Sequence, residues 1–183
     1  MRKLFWQINV TLDGYMEGPD HGLEHTAEIT DKDFERYASE MLRSIDAFII
    51  GRKTYDMFAG YWPQQTGTDA DILNELPKYV ASRTLRSVEW NNARLIPGDL
   101  FAGIDELKRD EGRDIAVFGS SQLAAELIEL GLVDELRVFV TPFLLGRGAP
   151  AFKPASQIRK LDLVGSEKWE SGVLALTYQI DRQ

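Results

Sequence analysis

The chain contains no cysteine and only two histidines, and no apolar run approaches the length of a membrane span. The missing thiols exclude disulfide frameworks, thiol nucleophiles, iron–sulfur clusters and cysteine-ligated zinc. With no apolar leader in MRKLFWQINVTLDG, the expected compartment is the cytoplasm. A basic excess is lacking too: 21 lysines and arginines stand against 29 aspartates and glutamates. The resulting formal charge of −8 argues against nucleic acid or an anionic membrane as partner through bulk electrostatics, and leaves room only for a local basic pocket. At 183 residues, 44% of them apolar, the chain can bury one sizeable core and is expected to form a single domain over 1–183.

What is present alternates strand and helix signals. Leu4, Trp6, Ile8, Val10 and Leu12 alternate with Phe5, Gln7, Asn9 and Thr11, the period of a strand, with Asn9 and Thr11 near the end where an open α/β sheet meets its ligands. Residues 13–28, punctuated by Gly14, Gly18, Pro19 and Gly22, read as a loop long enough to act as a lid. Thr30 followed by Asp33 resembles a capping box ahead of a helix carrying Phe34, Tyr37, Ala38, Met41, Leu42 and Ile45. A buried strand at 47–50 runs into a helix through Phe58; a turn at Gly60–Pro63 and a polar loop then precede a strand at 78–82. A short strand at 93–97, a helix at 98–109, a buried strand at 114–118 and a helix at 122–130 closed by Gly131 follow. A β-rich run at 135–145, broken at Pro142, and two strands near 161–168 and 173–181 close the chain, the last two as a hairpin. The expected class is α/β, in three α/β/α layers around a mixed, mostly parallel sheet with an antiparallel C-terminal edge.

Three strand-to-helix turns place small or basic residues where backbone N–H groups are free. At Phe118-Gly119-Ser120-Ser121-Gln122-Leu123 a helix start follows a buried strand directly, so unpaired amides, two hydroxyls and the positive end of the helix dipole converge where a phosphate would fit, unless a serine is simply the N-cap. Gly51-Arg52-Lys53-Thr54 adds two cations at a helix start, where they oppose the dipole and so point to an anion nearby. Ser82-Arg83-Thr84 offers a guanidinium and two hydroxyls at a third strand end. Neither GxGxxG nor the P-loop spacing is present, so neither a Rossmann fingerprint nor NTP hydrolysis is supported. His21-Gly22-Leu23-Glu24-His25 matches the H-x-x-E-H string of one zinc-protease class, but that chemistry needs both histidines on one helical face and Gly18, Pro19 and Gly22 oppose a helix there; no metal is expected. Phe58, Tyr61 and Trp62, followed by Pro63, supply rings suited either to core packing or to the wall of a pocket for a flat ligand. Thr141 places a hydroxyl in an apolar β run, where it needs a partner: a backbone carbonyl or a substrate.

Taken in order, Thr11-Leu12-Asp13-Gly14-Tyr15, Ile50-Gly51-Arg52-Lys53-Thr54-Tyr55, Val80-Ala81-Ser82-Arg83-Thr84-Leu85, Val117-Phe118-Gly119-Ser120-Ser121, Gly131-Leu132-Val133-Asp134-Glu135-Leu136 and Pro142-Phe143-Leu144-Leu145-Gly146-Arg147-Gly148 resemble the dihydrofolate reductase-like superfamily. Within it they are most similar to the C-terminal reductase domain of the riboflavin-biosynthesis deaminase-reductase. The resemblance implies NADPH as cofactor. Gly51, Arg52, Lys53 and Thr54 would lie beside its phosphates, Ser82, Arg83 and Thr84 at the adenosine 2′-phosphate, and Phe118 to Leu123 at the pyrophosphate. Asn9, Val10 and Thr11 would line the floor beneath the nicotinamide. It also implies hydride transfer to C=N or C=O of a small pteridine- or pyrimidine-like substrate, with Asp13 and Thr141 as catalytic candidates and Thr11, Tyr55, Phe58 and Trp62 on the substrate side. The acidic residue that folate reductases carry early in the first helix has no counterpart near Thr30–Phe34, and the usual Gly-Gly of the phosphate turn is Gly119-Ser120, which leaves a strained or cis peptide there open. With no zinc-deaminase cysteine signature, a bifunctional enzyme is not expected. A homodimer through the terminal strands is a further implication. A protein that binds NADPH without turning it over stays open as the alternative, because a fold does not establish catalysis.

Overall fold

The computed structural model describes every residue except 20, 21, 23–25, 27, 28, 97, 155–157, 182 and 183. His21 and His25 therefore lie outside the described residues, as does much of the expected lid. Ten strands form in chain order: β1 (Leu4–Thr11), β2 (Tyr15–Glu17), β3 (Ile45–Gly51), β4 (Lys78–Ala81), β5 (Ala93–Leu95), β6 (Asp114–Phe118), β7 (Glu135–Thr141), β8 (Ala149–Pro150), β9 (Leu161–Lys168) and β10 (Leu174–Ile180). The helices described are α1 (Lys32–Ser44), α2 (Arg52–Tyr61), α3 (Thr68–Glu75), α4 (Leu100–Arg109) and α5 (Ser121–Glu129).

The main sheet runs β5-β4-β3-β6-β1-β7-β10-β9. Its first six strands are mutually parallel, and β10 then pairs antiparallel with both β7 and β9. This is the mixed, mostly parallel sheet with an antiparallel edge expected from the pattern. Alternation along β1 sends Leu4, Trp6, Ile8 and Val10 to one face, where they meet Ile104 and Leu107 of α4 and Leu123, Ala124 and Leu127 of α5. Phe5, Phe48, Ile50 and Ala116 face the other way, against Met41 and Leu42 of α1, Tyr55 of α2 and Leu73 of α3. The strands are therefore covered on both sides, and each fully buried aliphatic side chain contributes about 1.5–3 kcal/mol.

Several local expectations are corrected. The N-cap of α1 is Asp31, whose carboxylate accepts from Phe34 N (2.9 Å) and Ser171 N (2.9 Å); Thr30 donates instead to Thr26 O, and Asp33 accepts from Glu170 N. An ionised oxygen at the positive helix end is the stronger acceptor. The second helix continues through Gly60 and Tyr61 into a 3₁₀ turn at Trp62–Gln64, and the polar loop after it contains α3, whose narrow stripe of Ala70 and Leu73 was too sparse to read as helical. The start of the expected lid is pinned: Ala151 N donates to Gly14 O, and β2 pairs with β8. Gly148 permits that approach, since a Cβ there would collide with the Glu17 carbonyl. No helix among the described residues is long and apolar enough to cross a membrane.

Candidate active site

Because β3, β4, β5 and β6 run parallel, the turns that follow them open at one edge of the sheet. There they line a cleft of about 660 Å³. All four residues of the Gly51–Thr54 turn line it, with Ser82, Arg83 and Thr84 after β4, and Ser120, Ser121, Gln122 and Leu123 at the start of α5. The structure thus brings together the three turns singled out in the sequence. It adds a fourth after β5, where Ile96, Gly98, Asp99, Leu100 and Phe101 form a more apolar wall, and closes the cleft with Met16, Ala149 and Lys153. The fourth turn was readable in principle, since the strand at 93–97 and the helix after it make one more β–α step at the same edge.

Two of the turns are tied together by a single hydroxyl. Ser120 occupies the N-cap position of α5 but makes no side-chain cap bond. Its Oγ accepts instead from Gly51 N (2.9 Å) and hydrogen-bonds Thr54 Oγ1 (2.9 Å), bridging the start of α2 to the start of α5. Gly119 and Ser120 both take left-handed backbone conformations, φ 54° and 50°, and no cis peptide occurs among the described residues. Such a conformation costs a non-glycine residue about 1–2 kcal/mol, so Ser120 adopts it because its side chain is held. Space is tight on each side: a Cβ on Gly51 would lie 2.6 Å from Ser120 Oγ, and one on Gly119 would lie 3.1 Å from Thr54 Oγ1. From the apolar layer beneath α4 and α5 the buried Trp6 indole donates to Gly119 O (3.0 Å). With Ser120 so engaged, the first turn of α5 has no side-chain cap, and its residues Ser121, Gln122 and Leu123 line the cleft, an arrangement suited to an anionic group.

Other sequence candidates lie elsewhere. Asn9 and Val10 point to opposite faces of β1, Val10 into the core, and Phe118 packs against Phe48 and Phe58. Gly119 contributes through its carbonyl bond to Trp6. Tyr55 is buried with its hydroxyl accepting from Glu89 N and Trp90 N, and Phe58 contacts Trp62, Trp90 and Phe118. These rings belong to the core under α2, and none of Tyr55, Phe58 and Trp62 lines the cleft.

Thr11 and Asp13 form a clasp. The Thr11 hydroxyl donates to Asp13 Oδ1 (2.7 Å) and accepts from Tyr15 N (3.0 Å), while the Asp13 carboxylate also accepts from Gly146 N (2.7 Å) and Leu145 N (3.2 Å). The Thr11 hydroxyl and the Gly146 and Leu145 amides hold the Asp13 carboxyl below its ordinary range. Asp13 therefore stands as an ionised tether between the end of β1 and the loop after β7, an arrangement that opposes a role as proton donor. Thr141 differs: it is fully buried, and its Oγ1 has no hydrogen-bond partner. Asn9 Oδ1 and Gln7 Oε1 are likewise buried and unpartnered, and the register of Asn9 with Phe139 and Thr11 with Thr141 places all three on the same sheet face. In the sequence Gln7 is only one member of the strand alternation, because a glutamine in a β period carries no local signal of function. No group of three or more potential metal ligands occurs among the described residues.

The strand order, the two helical layers and this edge cleft define a dihydrofolate reductase-like α/β/α protein. The chain belongs to the RibD C-terminal domain family, which it matches over residues 2–175. It is 31% identical over 182 residues to the uncharacterized protein YyaP of Bacillus subtilis, covering 97% of this chain and 94% of that one. It is similar in structure to the diaminohydroxyphosphoribosylaminopyrimidine deaminase/5-amino-6-(5-phosphoribosylamino)uracil reductase of Thermotoga maritima, with a TM-score of 0.69 and 18% identity over 98% of this chain and 57% of that one. It is also similar to dihydrofolate reductase from Enterococcus faecalis complexed with NADP(H), with a TM-score of 0.65 and 14% identity over 98% and 97% of the two chains.

Two outcomes follow from the clasp geometries. Ser120→Ala loses the bridging hydroxyl and keeps the left-handed strain, whereas Ser120→Gly loses the hydroxyl and relieves the strain, so the alanine variant should be less stable than the glycine variant by about 1–2 kcal/mol in denaturant titration; equal midpoints would contradict the left-handed conformation at this position. For Asp13, whose folded-state pKa lies below its ordinary 3.8, the stabilising contribution is fully present above that value and is lost as pH falls through the lowered one. Asp13→Asn should accordingly lower Tm at pH 7, and the gap to the unsubstituted protein should close progressively below about pH 4.

Proposed function

We propose that the protein is an NADPH-dependent reductase that delivers hydride to C=N or C=O of a small pteridine- or pyrimidine-like heterocycle. The observation that carries this reading is the convergence of the Gly51–Thr54, Ser82–Thr84 and Ser120–Leu123 turns on one cleft, with Arg52, Lys53 and Arg83 among its lining residues in a chain of net charge −8. The donor set fits an extended, multiply phosphorylated cofactor: uncapped amides at the start of α5, two cations at the start of α2, and a guanidinium with two hydroxyls after β4. In this reading the α5 amides with Lys53 and Arg52 hold the pyrophosphate, and Ser82, Arg83 and Thr84 hold the 2′-phosphate. When bound, NADPH supplies the hydride.

The remaining tasks fall to the sheet face bearing Gln7, Asn9 and Thr141. A buried hydroxyl or amide oxygen without a partner costs about 1–3 kcal/mol, so three on one face support a ligand that supplies their hydrogen bonds. A flat heterocycle with ring N–H and carbonyl groups has the complementary edge. Thr141 Oγ1 then holds the substrate and passes it a proton from water, while Asp13 keeps the Leu145–Gly146 loop in place rather than acting as the acid. The names of the solved relatives, a uracil-type reductase and dihydrofolate reductase, agree with this substrate class.

The same reading includes a homodimer. At the open edge of the sheet, Leu163 of β9 (54% exposed) pairs in register with Tyr178 of β10, and Leu174 (45% exposed) lies further along the same face. An uncovered apolar strand pair at a sheet edge invites a second copy.

Thermal shift tests the cofactor. NADPH at millimolar concentration should raise Tm, and Arg83→Ala should weaken NADPH far more than NADH; no stabilisation by either nucleotide would reject the reading. Loss of nicotinamide absorbance across a panel of heterocycles then separates a reductase from a protein that only binds. Size-exclusion chromatography should show a dimer that Leu163→Glu dissociates, and a monomeric unsubstituted protein would remove that part of the proposal.

A further inference from the structure

The cleft contains a carboxylate where an anionic cofactor would least want one. Glu126 lines it from α5, and its Oε1 accepts from Arg83 Nη2 at 3.1 Å. Arg83 is otherwise 87% exposed at its side chain and has no other ion pair among the described residues. The guanidinium best placed for a 2′-phosphate is thus already occupied by an acid.

The position of Glu126 along α5 gives the pairing its meaning. Ser121, Gln122 and Leu123 open the helix, Glu126 follows, and Leu130 caps the far end; all five residues line the cleft. With a rise of 1.5 Å per residue, Glu126 lies about 7.5 Å beyond Ser121 and about 6 Å before Leu130. Leu130 at the helix end and Phe101 are both well exposed, at 39% and 44%, and line the cleft together with Ile96 and Leu100. Along one helix the cleft therefore presents amides suited to a pyrophosphate, then a carboxylate paired with an arginine, then an apolar wall suited to a flat base. The middle position is that of a ribose hydroxyl, and the two charged side chains there have opposite preferences. A carboxylate accepts a hydrogen bond from a free 2′-hydroxyl and repels a 2′-phosphate; a guanidinium binds the phosphate bidentately.

We propose that Glu126 is a specificity-determining residue that sets cofactor choice: paired with Arg83 it restrains binding of the 2′-phosphorylated nucleotide and lets the cleft accept NADH as well as NADPH. This rests on the nicotinamide-cofactor reading above. To take the phosphate, Arg83 must leave Glu126, whereas NADH binds with the pair intact and donates its 2′-hydroxyl to the carboxylate. Both side chains are substantially exposed (87% and 43%), so the pair is weak and the selectivity modest.

The experiment is titration of NADPH and NADH, each followed by nicotinamide fluorescence, against the unsubstituted protein and Glu126→Gln. The substitution keeps size and helix propensity and lies on the surface, so folding is preserved. Exposed ion pairs of this kind are worth up to about 1 kcal/mol, which corresponds to about a two- to fivefold effect. The expected result is that Glu126→Gln binds NADPH two- to fivefold tighter and NADH no tighter or more weakly, the gain shrinking at high salt. If both nucleotides bind the unsubstituted protein but their Kd ratio is the same in Glu126→Gln, Glu126 is not a selector, and the cofactor reading survives. If neither nucleotide binds the unsubstituted protein, the cofactor reading itself is overturned and this inference falls with it.

Discussion

Six strands running in one direction are the constraint on which the rest of this molecule depends. Parallel pairing requires a crossover after each strand, and it delivers every strand-to-helix turn to the same edge. β3, β6 and β1 are buried on both faces, so the turns they end in are anchored by the core rather than by their own loops. Helix starts gathered at one edge add their dipoles there, and Arg52, Lys53, Arg83 and Lys153 are collected around the same cleft. A protein with a net charge of −8 gathers four cations at one cleft in this way without any basic run in its sequence, alongside Glu17, Asp99 and Glu126 in the same lining.

The second level of organisation is the link between core and edge at Gly119-Ser120. The Trp6 indole, set within the apolar layer under α4 and α5, reaches Gly119 O, and the Ser120 hydroxyl reaches Gly51 N and Thr54 Oγ1. Backbone strain at Ser120 persists because these contacts over-determine it. One consequence is chemical: a serine that would ordinarily cap its own helix is spent on a neighbouring turn, and the start of α5, which lines the cleft, is left without a side-chain cap. The Thr11–Asp13 clasp performs a comparable task at the β1 end, holding the loop after β7 with a carboxylate.

Much of this was legible from residue order. Strong alternation located β1, runs of Val and Ile located β3 and β6, and the short basic or hydroxyl-rich strings after them located three walls of the cleft. Where local signals are weak or ambiguous, residue order does not reveal the element. α3 has only Ala70 and Leu73 buried within a polar stretch. β2 and β8 are too short to show a period and exist only because Gly148 lets two backbones meet. Phe58 and Trp62 were ambiguous as rings in the sequence, and only packing against Trp90 and Phe118 assigns Phe58 to the core. Glu126 and Gln7 were silent for the same reason: an acid on a helix and an amide in a strand are ordinary until their neighbours are known.

Composition and periodicity by themselves determined the α/β class, the parallel sheet with its antiparallel edge, the absence of thiol chemistry, and the identity of three of the four turns that build the cleft, because each of these follows from local propensity and from burial along a single element. Tertiary structure alone decided how the hydroxyls and charges of those turns are used. Ser120 bridges instead of capping, Asp13 tethers, Thr141 is left unpartnered, and Arg83 meets Glu126 across 43 residues of chain. A hydrogen bond or an ion pair depends on a few ångströms between groups remote in sequence, and only the packed core sets that distance.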